Sequence, residues 1–220
     1  DYYASRGLGD VYKRQVSNER LMEVASALID GGIGAIEVTF DQRGDGFETA
    51  LAIESLTSKF GDRIVIGAGT VMTRRQAKLA HDAGAKFAVS PNTDADVIAY
   101  TKELGLFSMP GALTPTEVAH AYGCGADMVK LFPAGTMGPK YFDALRGPMP
   151  HIPLAAVGGI TPTNIALFKA SGAKAFGISS GLCSPGLVQQ RRYNDITMNC
   201  VKFFNALNNT HTCLLYTSDA

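Results

Sequence analysis

The sequence predicts an α/β fold, specifically a (β/α)8 or TIM barrel, on three observations. Short apolar runs that fit buried strands alternate with stretches of helical apolar periodicity over residues 16–207. Glycine, proline or a helix-capping residue separates most neighbouring segments. The strands are nearly evenly spaced, without the crossover that reverses strand order in an open sheet. Together these features are typical of parallel strands that close into a barrel.

The alternation begins with a helix and continues with seven strand–helix units. Ser17 or Asn18 can cap the first helix, and Gly31-Gly32 ends it. The apolar runs predict strands at residues 35–40, 64–69, 86–90, 106–109, 127–132, 154–157 and 175–178. The periodicity and caps predict helices at about residues 47–60, 73–83, 94–104, 114–123, 139–145, from 161 onward, and 187–207.

Particular cap residues justify three of these helix starts. Thr73 is a predicted cap, and Thr161 is another, with proline after it at the first helical position. Residues 114–117 read Thr-Pro-Thr-Glu, which predicts a capping box with proline at the first helical position.

Both ends of the chain differ in character from the regular middle. Residues 1–15 are polar, rich in tyrosine and arginine, and lack helical periodicity, and residues 208–220 are similarly out of pattern. Both resemble translated adaptor or cloning sequence, so we expect the barrel domain to span residues 16–207. An eighth strand belongs immediately before the first helix, where residues 10–14 stand. We therefore expect non-native sequence in place of the first strand.

Composition excludes several classes of protein. The 220 residues are 46% hydrophobic and 18% charged, enough apolar material for one substantial core. Lysine plus arginine equals aspartate plus glutamate, so no overall field attracts nucleic acid or an anionic membrane. No apolar run is long enough for a transmembrane helix. The four cysteines form no C-x-x-C pair and the histidines form no ligand cluster, which predicts reduced cytosolic thiols and no metal.

A lysine in the middle of an apolar strand is the most informative single residue. Lys130 lies within residues 127–132, and Pro133 and Gly135 end that strand. Burying an ammonium group is expensive, so an inward lysine must be paired or lose its proton, and a neutral amine is a nucleophile towards carbonyls. The structural alternative is a lysine that faces outward or extends past its strand to solvent.

Other candidate residues stand where predicted strands end. Barrel enzymes place their chemistry at the C-terminal ends of the strands. Glu37 lies in an apolar strand as Lys130 does, and the two charges can form a catalytic pair or, alternatively, a fold-stabilising ion pair. Gly158-Gly159 and the Ser180 turn follow the last two strands, where backbone amides and a helix dipole favour a phosphate, although a glycine pair can also be a simple turn.

These residues together resemble the 2-keto-3-deoxy-6-phosphogluconate (KDPG) and 4-hydroxy-2-oxoglutarate (KHG) aldolase family. The resemblance covers residues 16–207 and rests on motifs in family order and at family spacing: Ile36-Glu37-Val38-Thr39, Gly67-Ala68-Gly69-Thr70-Val71, Val89-Ser90-Pro91, Met109-Pro110-Gly111, Lys130-Leu131-Phe132-Pro133-Ala134, Val157-Gly158-Gly159-Ile160 and the Ser180 turn.

The resemblance implies a role for each candidate residue. Lys130 would form the Schiff base, and Glu37 would be the general acid/base. Thr70 would hold the pyruvate carboxylate, with Pro91 and Phe132 as an apolar wall. The distal phosphate would lie against Gly158, Gly159 and Ser180. The resemblance further implies a cytoplasmic homotrimer that needs no cofactor and takes a small phosphorylated 2-keto acid as substrate.

The chain departs from the family pattern at one position. Many members carry an arginine four residues after the glutamate to hold the substrate carboxylate, whereas this chain has Asp41. The resemblance implies a second arrangement in other members, in which this arginine comes from the end of the first strand instead. Arg14 falls at that position here, within the suspect N-terminal segment. Arg43 is nearer, but it lies in a glycine-containing loop where we expect it to be solvated.

Several functions fit these residues. The main hypothesis is a lyase that cleaves KDPG to pyruvate and glyceraldehyde 3-phosphate. Close alternatives keep Lys130 and Glu37 but act on KHG or on the galactonate epimer of KDPG. A phosphosugar isomerase would need an acid/base pair and no imine. An inactive phosphate-binding barrel would follow if replacement of the first strand opens the core.

Overall fold

The computed structural model describes residues 18–207 and the backbone of residues 213–215. Its strands are β1 Ala35–Thr39, β2 Val65–Gly69, β3 Phe87–Val89, β4 Phe107–Met109, β5 Gly111–Ala112, β6 Val129–Leu131, β7 Leu154–Val157, β8 Ala175–Gly177 and β9 Cys213–Leu215. Its helices are α1 Asn18–Asp30, α2 Phe47–Phe60, α3 Arg74–Asp82, α4 Ala95–Glu103, α5 Pro115–Gly123, α6 Ala134–Met137, α7 Pro139–Arg146, α8 Ile165–Ala170, α9 Pro185–Gln189 and α10 Tyr193–Ala206.

The strands pair in parallel and follow one another in chain order, as predicted. One sheet runs β1-β2-β3-β4 and the other runs β5-β6-β7-β8-β9. Only Pro110 separates β4 from β5, and its carbonyl accepts a hydrogen bond from the Lys130 amide at 2.9 Å. At the opposite edges β9 contacts β1, although no paired positions join these two strands in the part of the chain described. The alternating parallel α/β architecture is therefore confirmed.

The eighth strand position is filled from an unexpected part of the chain. The predicted strand at residues 10–14 lies outside the described residues. Residues 213–215, which the sequence places in a tail outside the domain, form β9, and their backbone pairs in parallel with β8 from Ala175 to Gly177. The strand next to β8 therefore comes from the C-terminal segment of the chain.

Helix caps form largely where the sequence predicts them. The Thr73 side chain accepts a hydrogen bond from the Gln76 amide at the start of α3. Thr114 and Glu117 form the reciprocal capping box at the start of α5. The predicted helix at 187–207 is in fact two helices, α9 and α10, because the chain turns at Arg191, which has a φ of 54°. The helix predicted from Thr161 begins only at Ile165.

The core has two parts because side chains of a strand alternate between its faces. The outer part, between strands and helices, includes Ile36, Val38, Leu131 and Phe176. The inner part contains side chains from β1, β3, β4, β7 and β8 and from the residue just before β6. Its members are Ala35, Phe87, Val89, Met109, Met128, Ala155, Val157 and Ala175. Within residues 18–207 no helix is long and apolar enough to cross a membrane.

Candidate active site

Strand alternation places Lys130 and Glu37 on the inner faces of their strands. Met128 belongs to the inner part of the core and Phe132 packs against it, and Lys130 lies two residues from each. Glu37 lies two residues from Ala35, another inner residue. Residues two apart on a strand share a face, so both charged side chains point to the interior that the strands enclose.

Lys130 is completely buried, with 0% of the residue exposed. Its Nζ atom lies 4.8 Å from the centroid of the Phe132 ring, within the range of a cation–π contact. Its strand lies between β5 and β7, in register with Gly111 and Ala155. The alternative of a lysine that reaches solvent is therefore wrong.

Glu37 is also completely buried and lies on β1. The Thr39 hydroxyl donates a hydrogen bond to Glu37 Oε1 at 3.4 Å. Two fully buried groups of opposite formal charge thus share one interior with the apolar side chains of the inner core. Burial of this kind is costly and is characteristic of functional sites.

Thr70 follows β2 directly and has a left-handed backbone conformation, with a φ of 52°. Its carbonyl accepts a hydrogen bond from Gln42 Nε2 at 2.8 Å. Gln42 Oε1 in turn accepts a hydrogen bond from Gln76 Nε2 at 3.0 Å. These amides tie the loops after β1 and β2 to α3 and hold the strained turn. Sequence reasoning missed both glutamines because no local pattern marks a contact between residues 34 positions apart.

Phe132, directly after β6, lies against Gly158, directly after β7. Two of the predicted site residues are therefore neighbours. A Cβ atom at Gly158 would lie 2.8 Å from the Phe132 ring, and Gly158 has a φ of 82°. Glycine is thus required there for both space and backbone conformation. Pro91 follows β3, and its carbonyl lies so close to Gly111 of β5 that a Cβ atom there would overlap it.

The predicted phosphate end has a different geometry from the one expected. The Gly158 carbonyl accepts a hydrogen bond from the Gly135 amide at 2.7 Å, and the Gly159 carbonyl accepts one from Asn164 Nδ2 at 2.9 Å. A turn separates Gly159 from α8, so no helix begins directly after the glycine pair. Ser180 is exposed.

Ser179, the first serine of the doublet after β8, is buried, in contrast to Ser180. It is 5% exposed, and its Oγ finds no hydrogen-bond partner within the described part of the chain. A buried hydroxyl in that condition requires explanation. The serine doublet after β8 was the available signal, but it does not say which serine faces inward.

Asp41 and Arg43 form an exposed ion pair in the loop after β1. Arg43 donates from Nε to Asp41 Oδ1 at 3.0 Å and from an Nη atom to Oδ2 at 2.7 Å. These hydrogen bonds and the attraction to Asp41 raise the pKa of Arg43. Asp41, which stands where many family members have the arginine, therefore forms an ion pair with Arg43 at the surface. Arg14, which the sequence predicts as the alternative carboxylate ligand, lies outside the described residues.

No group of three or more histidine, cysteine, aspartate or glutamate side chains that could hold a metal is present in residues 18–207. Cys124 is half-buried, and Cys183 and Cys200 are buried.

The chain is similar to proteins of one known family. The family described as KDPG and KHG aldolase matches residues 13–199. The chain is 37% identical over 175 residues to the probable 2-dehydro-3-deoxy-6-phosphogalactonate aldolase of Rhizobium meliloti, covering 79% of this chain and 81% of the relative. It is 31% identical over 179 residues to the 2-dehydro-3-deoxy-6-phosphogalactonate aldolase of Escherichia coli, covering 81% of this chain and 85% of that protein.

A solved structure of similar fold comes from Legionella pneumophila. This KDPG aldolase, with pyruvate captured at low pH as a covalent carbinolamine intermediate, superposes with a TM-score of 0.76 at 26% identity. The superposition covers 91% of this chain and 93% of the neighbour. The chain therefore belongs to the KDPG and KHG aldolase family, whose members are carbon–carbon lyases.

Proposed function

We propose that the chain is a class I aldolase that cleaves a 2-keto-3-deoxy-6-phospho sugar acid into pyruvate and glyceraldehyde 3-phosphate. The observation that carries the proposal is the completely buried Lys130, which shares the interior of the parallel strands with Glu37. An amine enclosed by apolar side chains is suited to attack a ketone, and a carboxylate in the same interior is suited to move protons.

The chemistry begins at the Lys130 amine. The amine adds to C2 of the keto acid to form a carbinolamine, which loses water to form a protonated imine. Glu37, directly or through water, removes the proton of the C4 hydroxyl as the C3–C4 bond breaks. The bonding pair moves into the imine to give an enamine, and the aldehyde leaves. Protonation at C3 and hydrolysis release pyruvate and restore the amine.

The remaining candidate residues surround this reaction in the proposal. Thr70, in its left-handed turn after β2, contacts the pyruvate carboxylate. Pro91 and Phe132 form the apolar wall, and the Phe132 ring stabilises the cationic nitrogen. Gly158, Gly159 and Ser180 contact the phosphate, with Arg14 as the carboxylate's ion-pair partner.

Two epimeric substrates fit the proposal equally. The relatives from Rhizobium meliloti and Escherichia coli carry the phosphogalactonate name, whereas the Legionella pneumophila neighbour is a KDPG aldolase. KHG, which has no phosphate, would leave the Ser180 end without a ligand. Comparison of kcat/KM for the three compounds assigns the substrate.

Borohydride trapping with pyruvate tests the mechanism. Reduction in the presence of pyruvate, followed by peptide mass spectrometry, is expected to give a pyruvyl adduct on Lys130. Lys130→Met should give none, and Lys140→Met, which changes an exposed lysine of α7, should give the parental yield. Absence of an adduct on folded protein would contradict the proposal and favour an isomerase or an inactive barrel.

We further propose that the chain is a homotrimer, as its family resemblance implies. Exposed apolar side chains on α2 support association, since Phe47 is 54% and Leu51 is 61% exposed. Light scattering should give three times the 23.3 kDa chain mass. The mass of a single chain would contradict the proposal.

A further inference from the structure

Glu37 lies against two residues to which the proposed mechanism gives no role, Thr39 and Gly69. Thr39 follows Glu37 by two positions on β1, so both side chains lie on the same face of the strand. Thr39 is 2% exposed, and its hydroxyl donates to Glu37 Oε1 at 3.4 Å. The contact joins two buried side chains, where a hydrogen bond is stronger than in water.

Gly69 is the residue of β2 paired with Thr39 in the parallel ladder. A Cβ atom on Gly69 would overlap Oε1 and Cδ of Glu37 and lie 2.8 Å from its Cγ. The Glu37 carboxylate therefore occupies the volume that a side chain at position 69 would fill. Any residue other than glycine would displace it.

The requirement for glycine at position 69 is one of space. Gly69 is not among the glycines with positive φ, so an alanine could adopt its backbone conformation. Gly67, two residues earlier on the same face, gives a comparison, because a Cβ atom there would overlap the Phe87 ring. The two glycines of β2 thus leave room for two different neighbours, one apolar and one acidic.

We infer that Thr39 and Gly69 are positioning residues for the Glu37 carboxylate. Gly69 provides the space in which the carboxylate lies, and the Thr39 hydroxyl fixes one of its oxygens. The inference rests on the proposed function, in which Glu37 moves the protons. Small displacements of such a group slow catalysis strongly, because proton transfer requires close approach.

The test of Thr39 is a kinetic cycle with Glu37→Gln. Thr39→Val keeps the side-chain volume but removes the donor, and kcat should fall about fivefold to tenfold with KM changed less than about twofold. Thr39→Ser should restore most of the loss. In the Glu37→Gln background, Thr39→Val should have no further effect, whereas a purely structural role would lower activity in both backgrounds and overturn the inference.

The test of Gly69 measures thermal stability together with activity. Gly69→Ala should lower both Tm and kcat in the parent, and the loss in Tm should largely disappear when Glu37→Ala removes the overlapping carboxylate. An equal loss in Tm in both backgrounds would overturn the spatial claim. Full activity of Glu37→Gln would instead refute the role proposed for Glu37, so the two failures are distinguishable.

Discussion

Phe132 is the residue whose proposed contribution to the reaction is most directly testable from the geometry. Its ring centroid lies 4.8 Å from Lys130 Nζ, and its edge packs on Gly158. Phe132→Leu keeps an apolar side chain but removes the π face, at a cost of about 1 kcal/mol to a cationic nitrogen. The rate of imine formation with pyruvate, measured in single turnover, should fall roughly fivefold.

Phe132→Tyr is the matched variant because it retains the ring. It should react within about twofold of the parent if the aromatic face is what matters. A parental rate for Phe132→Leu, or an equal fall for both variants, would show that the ring contributes packing alone.

In the loop after β1, the identity of Asp41 could be read from the sequence, but its contact with Arg43 could not. The absence of the family's arginine could be read from Asp41 in the sequence. The bidentate contact of Asp41 with Arg43 could not, because it depends on the path of a glycine-containing loop. The exposed position expected for Arg43 is confirmed, since 81% of its side chain is exposed.

At the scale of the element, the capping box of α5 makes stability depend on pH. Glu117 Oε2 accepts hydrogen bonds from the amides of Thr114 at 2.8 Å and Leu113 at 3.0 Å. The backbone hydrogen bond from Thr114, followed by that from Leu113 and by the Thr114 hydroxyl, lowers the pKa of Glu117 below its ordinary value of 4.5.

A carboxyl group whose pKa is lower in the folded than in the unfolded state stabilises the fold above the unfolded pKa. That stability is lost as the pH falls through the folded pKa. Glu117→Gln should therefore cost about 0.5–1 kcal/mol at pH 7, and the difference from the parent should shrink as the pH falls from 6 to 3.

Thermal melts across this pH range measure the effect. Thr114→Ser retains the hydroxyl and should keep the parental pH dependence. A constant difference in Tm between Glu117→Gln and the parent at every pH would show that the ionised carboxylate is not what stabilises the helix start.

At the scale of the whole molecule, β9 determines whether β8 has an exposed edge. Truncation after Leu207 removes β9 but retains the Leu207 carbonyl, which accepts a hydrogen bond from Lys169 Nζ. The loss of three paired residues should lower Tm by about 5 °C or more and promote association through the exposed edge.

Truncation after Leu215 is the control, since it retains β9. Its Tm in calorimetry should equal that of the parent, and it should remain monodisperse in light scattering. If the two truncated chains melt at the same temperature, β9 does not contribute to the fold.

The sequence alone determined the alternating architecture, the parallel pairing of the strands and the family, because apolar periodicity, caps and strand-end motifs are local. Lys130 and Glu37 were identifiable for the same reason, as charges inside apolar strands. Only the tertiary structure decided how residues distant in the chain meet: Gly69 beneath Glu37, Phe132 against Gly158, Gln42 on Thr70, and β9 beside β8. Such contacts depend on strand register and loop path, which set distances between side chains but leave no local pattern in the sequence.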